Sequence, residues 1–203
     1  MAQTPLSVKS IESGSIKTAA LHRDQALAAT VLAFSADPVA RWMYPNTRQY
    51  LTYFPCFVET FGGKAFEHNT VYLIHDDIGA AFWFPPDVEP ESEAFIALVQ
   101  HSMSESVQED LFPVLEQMAH YHPDEPHWYL AILGVDPAQH GKGYGSSLMQ
   151  HGLLQCDRHH MPAYLESSNP ANLSFYERHG FEVLGTIQVG ASPPIFPMLR
   201  HPH

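Results

Sequence analysis

Residues 139–152 read QHGKGYGSSLMQHG, with Gly141, Gly143 and Gly145 within five positions and a helical pattern directly after them. A helix start carries N–H groups without intrahelical acceptors and the positive end of the helix dipole. Glycines at such a start let a ligand approach bare backbone without meeting a Cβ. The chemistry supported is anion binding, phosphate above all. Spacing argues against two familiar phosphate loops. A Walker A loop needs Gly-Lys followed by Ser or Thr, whereas Gly143 follows Lys142 and no glycine stands five residues before Gly141. A dinucleotide fingerprint needs glycine where Ser146 stands, and it belongs to the first strand of its fold rather than the last third of a chain. A plain strand-to-helix turn needs one or two glycines, not three.

The elements that must position this turn are legible around it. HWYLAILGV, residues 127–135, is a near-continuous apolar run of the kind found in a central strand buried on both faces. Beyond the turn, the pattern predicts a helix from Gly143 to about His159, a strand AYLES at 163–167 and a helix NPANLSFYERHG ending at Gly180. Strands near 182–189 and 194–200 complete an α/β unit with a crossover. Upstream, a short strand is expected within 14–20, and a helix over about 24–35 on Leu27, Val31, Leu32 and Phe34. A second helix runs through TRQYLTYFPCFVETFGG to Gly62-Gly63, with Pro55 expected to kink or split it. Strands at 69–74 and 79–84 form a hairpin, and helices at 92–101 and 106–121 supply a lid or a packing layer. Residues 1–13 read as irregular.

At 203 residues the chain suits one domain. No apolar run approaches the roughly 20 residues of a membrane helix, and the first residues lack a signal-peptide pattern, so a cytoplasmic location without membrane attachment is expected. The 22 acidic against 10 basic residues give a net charge of −12, which opposes a nucleic-acid partner and mildly favours cationic ligands. Cys56 and Cys156 form no metal or redox spacing and read as small buried apolar residues. The histidine pairs His120/His122 and His159/His160 match no H-E-x-x-H pattern, so no metal is expected.

Taken together, LGVDPAQHGKGYGSSLM resembles the acetyl-CoA motif of the GNAT superfamily of acyl-CoA N-acyltransferases. Gly143 and Gly145 fall on its two small positions, while His140 stands where the family has Gln or Arg. ESSNPANLSFYERHGFEV is similar to the family's downstream element, with Asn169 at its first position, Asn172 in place of a small residue and Tyr176 at its tyrosine. On one helix, Asn169, Asn172 and Tyr176 would share a face. The two stretches are also similar to the branch that includes puromycin N-acetyltransferase. The resemblance implies an α/β (α+β) GNAT-like mixed central sheet of six to seven strands flanked by helices. It divides the single domain into an acceptor-side half, 14–125, and an acetyl-CoA-binding half, 126–200.

The same resemblance implies direct attack of an amine on acetyl-CoA, without a covalent acyl-enzyme. His140, Gly141, Lys142, Gly143, Tyr144, Gly145 and Ser146 would bind the pyrophosphate, backbone around Leu133, Gly134 and Val135 would meet the oxyanion, and Asn169, Asn172 and Tyr176 would address the same ligand. Tyr176, with a phenol near pKa 10, suits the general acid. Glu166 lies at the C-terminal end of a strand, where open α/β sheets place ligands, and is the first candidate for the general base, with a relayed water as the alternative. Phe34, Trp42, Met43, Tyr44, Phe82, Trp83 and Phe84 would form an apolar acceptor cleft if they line one. The expected acceptor is a small-molecule primary amine, with a peptide or protein amine, or a non-catalytic acyl-CoA sensor, as alternatives, in a monomer or homodimer.

Overall fold

The computed structural model describes residues 16–74 and 77–203. The expectation for 1–13 lies outside them. Seven strands form one sheet in the order β1-β2-β3-β4-β5-β7-β6: β1 (Ile16–Thr18), β2 (Val71–Ile74), β3 (Gly79–Phe84), β4 (Trp128–Val135), β5 (Ala163–Ser167), β6 (Glu182–Val183) and β7 (Phe196–Arg200). Every pairing is antiparallel except β4 with β5, the pair joined by the helical crossover. The expected strand at 182–189 is cut to two residues plus a bridge between Ile187 and Ile195.

On one face lie α1 (Arg23–Ala33), α2 (Pro38–Met43), α3 (Thr47–Gly62), α4 (Lys64–Glu67), α5 (Ser92–Ser102) and α6 (Glu105–Tyr121). Their apolar residues, among them Ala26, Met43, Phe54, Val58, Phe95 and Leu111, pack on Leu73, Phe82, Phe84, Tyr129, Ile132 and Tyr164 of the sheet. On the other face, α7 (Tyr144–His159) and α8 (Leu173–Glu177) bury Leu148, Met149, Leu153, Cys156 and Tyr176 against Trp83, Leu130, Leu165 and Met198. The strand period of two sorts the central residues: Ala81 and Trp83 face α7, whereas Ala80, Phe82 and Phe84 face the α1 side. Burial on both faces is why β2, β3 and β4 read as continuous apolar runs.

Several local expectations are corrected. Of the two effects expected of Pro55, the split does not occur: it sits inside α3, which is continuous from Thr47 to Gly62. Two short helices, α2 and α4, were not foreseen. α2 is specified locally by Asp37, whose Oδ1 accepts from the Val39 and Ala40 N–H groups, followed by Pro38 at the first helical position. Cys56 is exposed, while Cys156 is buried as expected. Among the described residues no helix is long and apolar enough to cross a membrane.

Candidate active site

β4 and β5 are hydrogen-bonded neighbours over only two register pairs, Trp128 with Ala163 and Tyr129 with Tyr164. Beyond Tyr129 the parallel ladder stops, although β4 continues to Val135 and β5 to Ser167. β4 also carries a bulge opposite Phe82 and Trp83, where Ala131 is the extra residue. Ala131 and Ile132 therefore both pack toward the α1 side, and Leu133 and Val135 toward α7. The parted strands open a cleft of about 810 Å³, with Leu133, Gly134 and Val135 on one wall and Glu166, Ser168 and Asn169 on the other. Backbone groups along the parted stretch of β4 have no β5 partner, and apart from the Val135 carbonyl, which His140 engages, they can turn to a ligand.

The glycine turn closes one end of this cleft. Gly141 and Gly143 have φ values of 75° and 87°, left-handed conformations that favour glycine. A Cβ on Gly141 would meet nothing within 4 Å, so the turn is open to approach. Gly143 is the N-cap of α7, and no side chain caps this 16-residue helix. His140 donates from Nε2 to the Val135 carbonyl at 3.0 Å, fastening the turn to the end of β4. The Ser146 hydroxyl meets His179 Nε2 at 3.2 Å.

Of the residues expected at the site, Leu133, Gly134, Val135, His140, Gly141, Gly143, Tyr144, Gly145, Ser146, Glu166, Asn169, Asn172 and Tyr176 all line the cleft. Lys142 does not; its ammonium donates to Gln139 Oε1 at 2.7 Å. Asn169, Asn172 and Tyr176 converge there, but not from one helix. Asn169 caps the 3-10 turn Pro170–Asn172 by accepting from Ala171 N–H, and Asn172 is the N-cap of the five-residue α8. Pro170 has no N–H to give, so the chain turns there before the helix starts.

Glu166 and Tyr164 share the α1-side face of β5, and the Glu166 side chain is 5 % exposed. Burial raises its carboxyl to about 7, against the opposing influence of the Tyr129 and Tyr164 phenols. It is therefore poised to exchange a proton near neutrality. Burial, reinforced by the negative charge of Asp37, pushes the Tyr176 phenol up, so it stays protonated. A carboxyl near neutrality and a phenol that stays protonated suit general acid–base work.

The sequence reading missed several polar cleft residues. Asp37, 9 % exposed, accepts from the Ser168 hydroxyl at 2.6 Å across 131 positions of chain. It thereby fixes the loop after β5 against the start of α2. Arg178, on the last turn after α8, is the one Lys or Arg among the described residues lining the cleft. The acceptor wall is also differently built. Phe34 and Met43 line it, whereas Trp42 does not, and Tyr44, Phe82, Trp83 and Phe84 are fully buried in the core. Phe54, Phe57 and Phe61 replace them, stacked along α3 with successive centroids 5.5 Å apart, and Phe95 of α5 meets Phe57 at 5.6 Å. Their spacing of three and four residues was the available signal. Among the described residues no cluster of three metal-ligating side chains occurs.

Residues 53–181, more than half of the chain, match the acetyltransferase (GNAT) family. The chain belongs to that family. It is 35% identical over 82 residues to an uncharacterized N-acetyltransferase of Schizosaccharomyces pombe, a stretch covering 39% of this chain and 33% of that relative. The chain thus spans about a third of that relative's length. Solved structures share the fold over nearly the whole chain. One is described as a histone acetyltransferase HPA2 and related acetyltransferase from Corynebacterium glutamicum, with TM-score 0.65, 22% identity, and coverage of 93% of this chain and 96% of the other. Another is arylalkylamine N-acetyltransferase 2 from Aedes aegypti, with TM-score 0.64, 13% identity, and coverage of 93% and 98%.

Proposed function

We propose that this GNAT acetyltransferase moves an acetyl group from acetyl-CoA to the primary amine of a small molecule with an apolar or aromatic body. The observation that carries the reading is a single cleft with an uncapped helix start at one end and a buried carboxyl beside an aromatic wall at the other. The positive helix end, with the open backbone at Gly141 and the glycines Gly143 and Gly145, suits the pyrophosphate of CoA, with Arg178 as a further cation on the same cleft. The unpaired edge of β4 suits the amide-rich arm and, around Leu133 to Val135, the developing oxyanion.

In this reading Glu166 takes a proton from the substrate ammonium, so that the free amine attacks the thioester carbonyl. Tyr176 gives its phenolic proton to the leaving thiolate. Asp37, through Ser168, keeps the loop carrying Asn169 in place. Phe54, Phe57, Phe61 and Phe95 exclude water and hold the body of the amine. An acceptor wall formed by α3, α5 and α6 favours a small amine over an extended peptide.

The test is acetyl-CoA-dependent thiol release across an amine panel. Phenylalkyl and indolylalkyl amines and puromycin should exceed aliphatic polyamines and peptide N-termini in kcat/KM by roughly 30-fold, from about 2 kcal/mol of ring burial. Equal or greater turnover on polyamines or peptides would overturn the substrate class. CoA binding without thiol release on any amine would favour a sensor.

A further inference from the structure

A carboxyl that accepts a proton in each turnover must also lose one. Acetylation of an ammonium by a thioester forms a C–N bond, breaks the C–S bond and releases one net proton. One nitrogen proton goes to Glu166. The thiolate takes the proton of Tyr176, which is restored by the second nitrogen proton. The first stays on Glu166, whose side chain is 5 % exposed and whose cleft is filled by both substrates during the reaction.

Behind Glu166, away from the residues that line the cleft, lie two histidines. His122 immediately follows α6, and its Nδ1 is 4.0 Å from Glu166 Oε1. Its Nε2 is 3.0 Å from Nε2 of His127, in the connection to β4. His127 Nδ1 lies 2.7 Å from the Glu125 carbonyl oxygen, and the His127 side chain is partly exposed. These contacts fix the tautomers. A carbonyl only accepts, so His127 Nδ1 carries hydrogen and its Nε2 is bare when the ring is neutral. His122 must then donate from Nε2, which leaves its Nδ1 bare and turned toward Glu166. The row of donors and acceptors already has the polarity needed to pass a proton outward.

We propose that His122 and His127 form a proton relay that discharges Glu166 to solvent through the turn between α6 and β4. The relay rests on Glu166 being the base. His122 Nδ1 takes the carboxyl proton as its Nε2 proton passes to His127, and the partly exposed His127 ring, swinging its Nδ1–H off the Glu125 carbonyl, releases that proton to water while keeping the new one on Nε2. Rotation or re-exchange of the rings restores the starting tautomers. The 4.0 Å gap exceeds hydrogen-bond length, so the first step uses a bridging water or a closer approach of about 1 Å. The groups facing the His122 ring are Glu166, His127, Tyr129 at 5.1 Å and Tyr164 at 4.8 Å. Partial burial, with His127 adding to it, holds His122, whose side chain is 35 % exposed, down to about 4, so at neutral pH it passes a proton without storing it.

His127→Gln and His122→Phe test the relay, with kcat measured at saturating substrates in weak buffer, with and without added imidazole. Both variants should lose about tenfold in kcat, less than the 10²–10⁴ carried by a direct base, with both KM values unchanged. Imidazole should restore His127→Gln, whose lesion opens to solvent. Unchanged kcat in His127→Gln, or a loss that imidazole does not restore, overturns the relay. Should His122→Phe fail to fold, the partly exposed His127→Gln carries the test alone. Glu166→Gln separates the two proposals: full activity there removes the base, whereas an inactive Glu166→Gln beside unaffected histidine variants removes only the relay.

Discussion

Glu166 and Asp157 show how far one side-chain type can be driven by its surroundings. Asp157 is a third exposed and faces a guanidinium; its carboxyl is lowered by hydrogen bonds from Arg200. Glu166 is enclosed by phenols and an imidazole, and burial lifts it to about 7. As a base, Glu166 works only when ionised, so activity falls as pH drops below about 7 and levels off above it. A pH series of kcat/KM, with enzyme stability checked at each point, should show one acid limb near that value. A limb near 4 would mean that Glu166 is not the base. Its place at the end of a strand was legible, because a strand's end in an open sheet is where ligands collect. Asp37 and Ser168 were not, since their contact joins residues 131 positions apart and leaves no periodic trace.

At the scale of elements, the sequence was most readable where periodicity is long. α1, α3, α5, α6, α7 and the central strands carry enough turns or apolar residues to declare themselves. α2 has six residues and α8 five, too few for a periodic signal, and a bulge changes side-chain parity without changing composition. α7 is held on the sheet by close contact at Gly152. A Cβ there would lie 2.2 Å from the indole of Trp83, itself fully buried. Gly152→Ala gains up to about 1 kcal/mol of helix propensity but forces a ring with nowhere to go, an overpacking cost of about 1–3 kcal/mol. The clash should win, lowering Tm by a few degrees in a thermal melt. An unchanged or raised Tm would show that the helix can lift off the sheet freely.

Across the whole molecule, Arg200 at the end of β7 ties the C-terminal strand to α7. Its guanidinium is 4 % exposed and donates to both Asp157 oxygens at 2.8 and 3.1 Å. Because the Asp157 carboxyl is lowered on folding, its contribution is complete above the ordinary carboxylate pKa near 4 and drains away as pH falls through the lowered value. Asp157→Asn should cost about 2 kcal/mol at neutral pH, below the usual penalty for a fully buried pair because Asp157 is partly solvated. The Tm gap to wild type should close in strong acid, and a gap independent of pH would assign the loss to packing. The parting of β4 from β5 has a wider meaning. An unfinished sheet margin normally invites strands from other chains and so courts aggregation. Here that margin lines a cleft of about 810 Å³ between the α1 and α7 faces of the sheet instead of its outer rim, so the unfinished pairing sits among the protein's own helices.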